Sequence, residues 1–237
     1  MASVRLVLGA GECDRIIENA DELLQQYRQD TGCYYLDYQP ITTQDRLYPE
    51  DLAVTLLINS QAGWRVFRSL ELYSASIDLK SLPSKSLEQT THDERALVRD
   101  LIVKMTAWPG FGASVATKVL HKKRPSLIPI LDNQAIFGAY MNANWPGKPA
   151  QSDTVKDGGQ ILRALNLIAY DLNREENRLS WKTLQGIEPT RTLTQLFDSV
   201  WWMYFRNLQM SIRNGVILPQ IETLLQPIAN NNHTSLQ

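Results

Sequence analysis

Two stretches of helical apolar spacing, one ending near Ala107 and one starting near Ala113, are separated by Trp108-Pro-Gly-Phe-Gly112. Few local structures accommodate such an interruption. Pro109 cannot continue the first helix with a full set of hydrogen bonds. Gly110 and Gly112 permit backbone angles and close approaches that a Cβ would block. Phe111 can plug the gap between two helices, and Ala116, one turn into the second, is small enough to let them cross closely. The expectation is a helical hairpin over about residues 101–124. Its turn presents backbone N–H groups at a helix N-terminus, a site suited to a phosphate.

The charge pattern around the turn points the same way. No acidic residue lies between Asp100 and Asp132, although the chain carries 25, while Lys104, Lys118, Lys122, Lys123 and Arg124 fall in that window. The formal net charge is −1, which argues against a protein that coats nucleic acid through bulk charge. Affinity for phosphate must then come from a local patch. Proline, two glycines, the small alanine and the basic gap together read as a DNA-binding hairpin. The alternative is a helical turn that serves architecture alone.

The rest of the chain is mostly helical in its apolar rhythm. Ile16, Ile17, Ala20, Leu23, Leu24 and Tyr27 predict an amphipathic helix over about 12–28. A looser stretch from Thr31 to Tyr48 has room for a short strand around Tyr34–Tyr38. Pro49-Glu-Asp51 opens a helix running through Ile58, with acids at the positive end of its dipole. Further helices are expected over about 65–77, from Asp93 to about Ala107, over 161–172 and over 193–204. The segments 80–91 and 144–160 read as connections. The fold class is all-α or nearly so, as one compact helical unit or as two lobes with a cleft between them, and a frayed tail over about 230–237.

Other features exclude classes of function. With 43% hydrophobic and 21% charged residues and no apolar run long enough for a membrane span, the expectation is a cytoplasmic protein without a membrane partner. Val4–Ala10 resembles a short signal core, but Arg5 interrupts it and Glu12, Asp14 and Arg15 follow at once. Two cysteines, Cys13 and Cys33, allow one disulfide and no four-cysteine cluster. His92, His121 and His233 lack ligand spacing, so no metal is expected, and nothing implies a protein partner.

Trp108-Pro-Gly-Phe-Gly-Ala-Ser-Val-Ala116 followed by Ser126-Leu-Ile-Pro-Ile-Leu-Asp-Asn-Gln-Ala135 resembles the helix-hairpin-helix superfamily of DNA glycosylases. The likeness covers about residues 101–141. Members carry a Leu-Pro-Gly-apolar-Gly hairpin, a basic helix, a short apolar approach and then an Asp that opens the next helix. Asp132 falls 20 residues after Gly112, matching that spacing. The resemblance implies that Asp132 is catalytic. Hydrolysis of an N-glycosidic bond builds positive charge on the sugar, and a carboxylate beside C1′ stabilises it and orients the attacking water. The target nucleotide must first leave the stack of duplex DNA.

The resemblance also implies that Gly110, Phe111, Gly112, Ser114, Lys118 and Lys122 hold the DNA backbone. No cofactor is expected beyond a monovalent cation at the hairpin, which the same likeness allows. Members with lyase activity carry a lysine at the position of Ser114. A serine hydroxyl forms no Schiff base, so the expected enzyme is monofunctional and leaves an abasic site. Lys118, one turn along, is a further source of an amine, though a phosphate contact suits it better. Asn133-Gln134 stands where a Thr-His pair often follows the family's Asp, and the iron–sulfur cysteines of several branches are absent. Asn133, Trp202 and Trp64 are candidates for the base pocket, alongside Tyr140, Trp145 and Trp201 as stacking surfaces.

Asp132 also suits a plain N-cap. Two other readings therefore stand beside the enzyme: a non-catalytic helix-hairpin-helix DNA-binding module, and a helical interaction protein. A narrower form of the enzyme reading makes the excised base a modified one of invading phage DNA.

Overall fold

The computed structural model of the chain describes residues 3–10, 13–30, 43–52, 63–142 and 155–214. Strand β1 (Leu6–Leu8) pairs antiparallel with β2 (Arg15–Ile17), Leu6 opposite Ile17 and Leu8 opposite Arg15. The expected helix over 12–28 therefore starts later, as α1 (Ala20–Gln29). Arg15 and Ile17 are buried while Ile16 between them is 41% exposed. That period of two is a strand signature that paired isoleucines can hide inside helical spacing. The expected strand around Tyr34–Tyr38 lies outside the described residues, as do Cys33, Trp145, His233 and the 230–237 tail.

Pro49–Leu52 forms a single 3-10 turn, and the rest of the helix expected there lies outside the described residues. Helix α2 (Trp64–Tyr73) passes into a 3-10 turn at Ser74–Ser76. The connection over 80–91 holds one more such turn, Leu87–Gln89. Helix α3 (His92–Thr106) is started by a reciprocal capping box between Thr91 and Glu94, one residue before the expected Asp93. Helix α4 (Ala113–Lys123) follows the Pro-Gly turn. A π-helix, Asn133–Tyr140, comes next.

Helix α5 (Gly158–Asn173) begins inside the expected 144–160 connection because Asp157 caps it, its carboxylate accepting the Gln160 N–H at 2.7 Å. A 3-10 turn at Glu175–Asn177 leads to α6 (Arg178–Ile187), a helix that buries Trp181 and Leu184 and packs Ile187 against the core. Its short apolar pattern gave little sequence signal. Helix α7 (Leu193–Arg213) opens on a Thr192–Gln195 capping box and runs well past the expected end at 204.

The described chain is thus nearly all-α with one small sheet. Helix α1 packs along α7, and α3 packs against both α4 and α5. One apolar core joins the sheet and all the helices, from Leu6 through Ile102 and Val119 to Phe197. The sheet is fixed to this body by Asp171 of α5. Its carboxylate accepts the Gly9 and Ala10 N–H groups at 2.6 and 3.0 Å and the Tyr140 hydroxyl at 2.6 Å. Burial pushes its pKa up to about 6 despite those three donors. No helix among the described residues is long and apolar enough to cross a membrane.

Candidate functional site

The turn between α3 and α4 is built as its residues dictate. The Trp108 N–H donates to the Met105 carbonyl and the Phe111 N–H to the Trp108 carbonyl, each at 3.0 Å. Gly110 takes φ +84°, in the left-handed region. A Cβ there would lie 3.0 Å from Val66 Cγ2 and 3.2 Å from the Val66 nitrogen, so α2 presses directly on the turn. The Ser69 hydroxyl adds a 2.9 Å hydrogen bond to the Pro109 carbonyl. Phe111 is buried and packs edge-on to Trp108, ring centroids 5.2 Å apart, filling the space between the helices. Gly112 is the N-cap of α4 in an ordinary extended conformation.

The helix N-terminus expected to offer N–H groups to a phosphate has already committed one. The Ala113 N–H donates to the Val155 carbonyl at 2.9 Å. By helix geometry the amides of Ser114 and Val115 also lack an intrahelical acceptor. The basic run divides sharply. Lys118 lies on the face of α4 shared with Ser114. Lys122, expected on a phosphate, is only 7% exposed. Lys123 is buried against Asp51 at 2.8 Å and the Thr43 carbonyl at 2.9 Å. Arg124 bonds the Gln44 and Leu79 carbonyls and Asp45. The last two cations fasten residues 43–52 to α4 and do not form a surface patch.

Asp132 is carried back to α4 by the irregular segment that precedes it. The Leu131 N–H donates to Thr117 Oγ1 at 2.9 Å, and that hydroxyl donates to the Ala113 carbonyl at 2.8 Å. The Asp132 carboxylate then has two distinct edges. Oδ1 accepts the Gln134 and Ala135 N–H groups at 2.9 and 3.1 Å, so the residue is the N-cap that its position predicted. Oδ2 faces α4, 3.5 Å from the Ser114 hydroxyl and 3.6 Å from the Lys118 ammonium. Immediately beyond it the π-helix starts, with the Phe137 N–H reaching back to the Asp132 carbonyl. Such widened turns recur at functional sites.

Below this level lies a buried pair. His121 Nδ1 is 2.6 Å from the Ile128 carbonyl and 3.5 Å from Asp198 Oδ2. Burial pushes the imidazole down to about 4 and the Asp198 carboxyl well above its usual range. Asp198 also accepts the Ile130 N–H at 3.1 Å. Sequence reasoning passed over Thr117 and Asp198. Asp198, an acid inside the apolar run Leu196–Trp201, was the one legible signal. A threonine in mid-helix carries none.

The pocket candidates separate. Asn133 adjoins Asp132, and its Oδ1 is buried with no hydrogen-bond partner. Trp202 shares a face of α7 with Asp198 and Gln209, and Gln209 bonds the Gln134 side chain at 3.1 Å. Trp202 is 38% exposed. Trp201 and Tyr140 are core, the Trp201 Nε1 donating to the Ala135 carbonyl at 2.8 Å. Trp64 is 74% exposed at the start of α2, beside the turn. It stands in the open instead of lining a pocket, because Val66, Ser69 and Leu70 are the residues that α2 buries.

Among the described residues no group of three or more His, Cys, Asp or Glu side chains is arranged to hold a metal. No curated protein and no solved structure matches the chain. A family model does match it, over residues 20–205, and on that match the chain belongs to the family of unknown function DUF6308.

Proposed function

We propose that the chain is a DNA glycosylase that hydrolyses the N-glycosidic bond of a damaged or modified base turned out of duplex DNA, leaving an abasic site. The observation that carries this reading is the two-edged placement of Asp132. Its Oδ1 is held by backbone donors, while Oδ2 points at the α4 face beginning two residues after the Gly110–Gly112 turn. A strand gripped at that turn would bring a nearby sugar to Oδ2.

As the bond to the base breaks, the deoxyribose gains positive charge, and a fixed carboxylate meets it without reorganising. The same oxygen is placed to orient water. Lys118 holds Oδ2 before the sugar arrives. The base itself would lie towards Asn133, whose buried amide oxygen lacks a partner, and Trp202. Ser114 offers no amine, which supports hydrolysis alone.

A second reading is favoured by one observation. Asp132 already serves as an N-cap and an ion-pair partner, which is sufficient employment in a non-catalytic DNA-binding module. A panel of duplexes, each with one modified base, incubated with wild type and Asp132→Asn distinguishes the two. Alkali-dependent strand breaks with wild type alone establish excision. Salt-sensitive binding without breaks on any duplex establishes the module.

A further inference from the structure

We propose that the exposed face of α2 continues the DNA-binding surface of the hairpin, with Arg65 on a phosphate and the Trp64 ring against a base of the same strand. The proposal rests on the reading that the turn between α3 and α4 grips DNA.

Three observations carry it. First, α2 is half unpartnered. It buries Val66, Ser69 and Leu70, yet leaves Trp64 at 74% and Phe67 at 45% exposure. Large aromatic rings left in water on one helix face mark an interaction surface. Second, that face is continuous with the turn. The Val66 nitrogen and the Arg65 Cβ lie 3.2 and 3.3 Å from the place a Gly110 Cβ would occupy, and Ser69 bonds Pro109. A strand lying on the turn therefore meets the first turn of α2 next.

Third, the chemistry fits a nucleic acid. On α2 Arg68 is paired with Glu71 at 3.0 Å, which leaves Arg65 as the cation that α2 sets beside the turn. The Arg65 guanidinium sits 5.7 Å from the centroid of the Trp64 ring, so a cation and a stacking plane are presented together. Interleaved cations and exposed aromatic rings are how single strands and opened duplexes are held without reading sequence. The adjoining turn, where the Ser114 and Val115 N–H groups lack an intrahelical acceptor, favours phosphate over a protein partner.

The test is fluorescence anisotropy of the full chain with two labelled duplexes, one undamaged and one carrying a tetrahydrofuran abasic analogue, over a range of salt. Trp64→Ala should weaken binding to the abasic-analogue duplex about tenfold, and Trp64→Phe should restore most of it. Arg65→Ala should lower the slope of log affinity against log salt by about 0.9, the release of one counterion. Both side chains are exposed, so thermal midpoints should stay near wild type.

Pro109→Glu, which sets an acid in the turn, separates the two levels of the argument. If it abolishes binding while the Trp64 and Arg65 variants remain within about twofold of wild type with an unchanged salt slope, the α2 surface is refuted and the hairpin reading stands. If wild type binds neither duplex, both fall. If sedimentation shows a wild-type dimer that Trp64→Ala converts to monomer, the face is a contact between copies of this chain and the proposal is overturned.

Discussion

The Leu131 N–H donates to the Thr117 hydroxyl at 2.9 Å, a bond that helps tie the segment ending in Asp132 to the helix that begins at the hairpin. Both residues are fully buried, so neither group has water as a substitute. The distance between turn and carboxylate is therefore set inside the protein, by a residue that touches neither.

Thr117→Val keeps the shape and removes the acceptor. It should cost about 1–3 kcal/mol, the penalty of a buried unsatisfied N–H, whereas Thr117→Ser should be close to neutral. Urea unfolding measures the first effect. Excision rates measured on the folded fraction should fall with Val and recover with Ser, since only Val releases the Asp132 segment.

Asp132 carries two separable roles. Asn keeps an oxygen for the Gln134 and Ala135 N–H groups, so Asp132→Asn should leave stability almost unchanged while abolishing excision. Asp132→Ala should lose the cap as well, about 1 kcal/mol. Equal losses of stability in both variants would show that the Lys118 pair, rather than the cap, is what the carboxylate contributes to the fold.

Gly110→Ala meets a double obstacle, a φ of +84° and Val66 atoms at 3.0 and 3.2 Å. The expected destabilisation is about 1–3 kcal/mol. A shift in the urea midpoint with an unchanged m-value would identify it as local strain rather than loss of compactness.

His121 contributes a pH-dependent component of stability whose sign is known and opposite to that of the facing Asp198, whose carboxyl burial pushes up. Burial holds its folded-state pKa near 4, below the ordinary 6.5. Between those values the unfolded chain binds the proton and the native one does not, so acidification from 6.5 towards 4 favours unfolding. About 2 kcal/mol should be lost by pH 4.5. His121→Gln removes that component, so the stability gap between wild type and variant at pH 7 should narrow at pH 4.5. A gap that widens on acidification would mean the imidazole is protonated in the native state.

What could be read from the residues alone was what acts over a few residues. Pro109 and Gly110 determined a break between two helices because their steric limits are intrinsic. Asp132 was legible as a cap because an aspartate before Asn-Gln-Ala can reach two following amides within its own turn. The 3.6-residue rhythm located α3, α5 and α7, while the two-residue rhythm around Ile16 was too short to outvote it. What the tertiary structure decided was the fate of each charge and ring. Lys122, Lys123 and Arg124 looked like one basic patch, yet Lys123 and Arg124 are consumed by residues about 80 positions earlier, and Lys122 is buried. Trp64 and Trp202 looked equivalent, yet one stands exposed beside the turn and the other lies on the α7 face that carries Asp198 and Gln209. The reason is physical. A cation or an aromatic ring has no preferred neighbour until distant segments meet, and whether it is spent on the core or presented to a ligand depends on which segments those are.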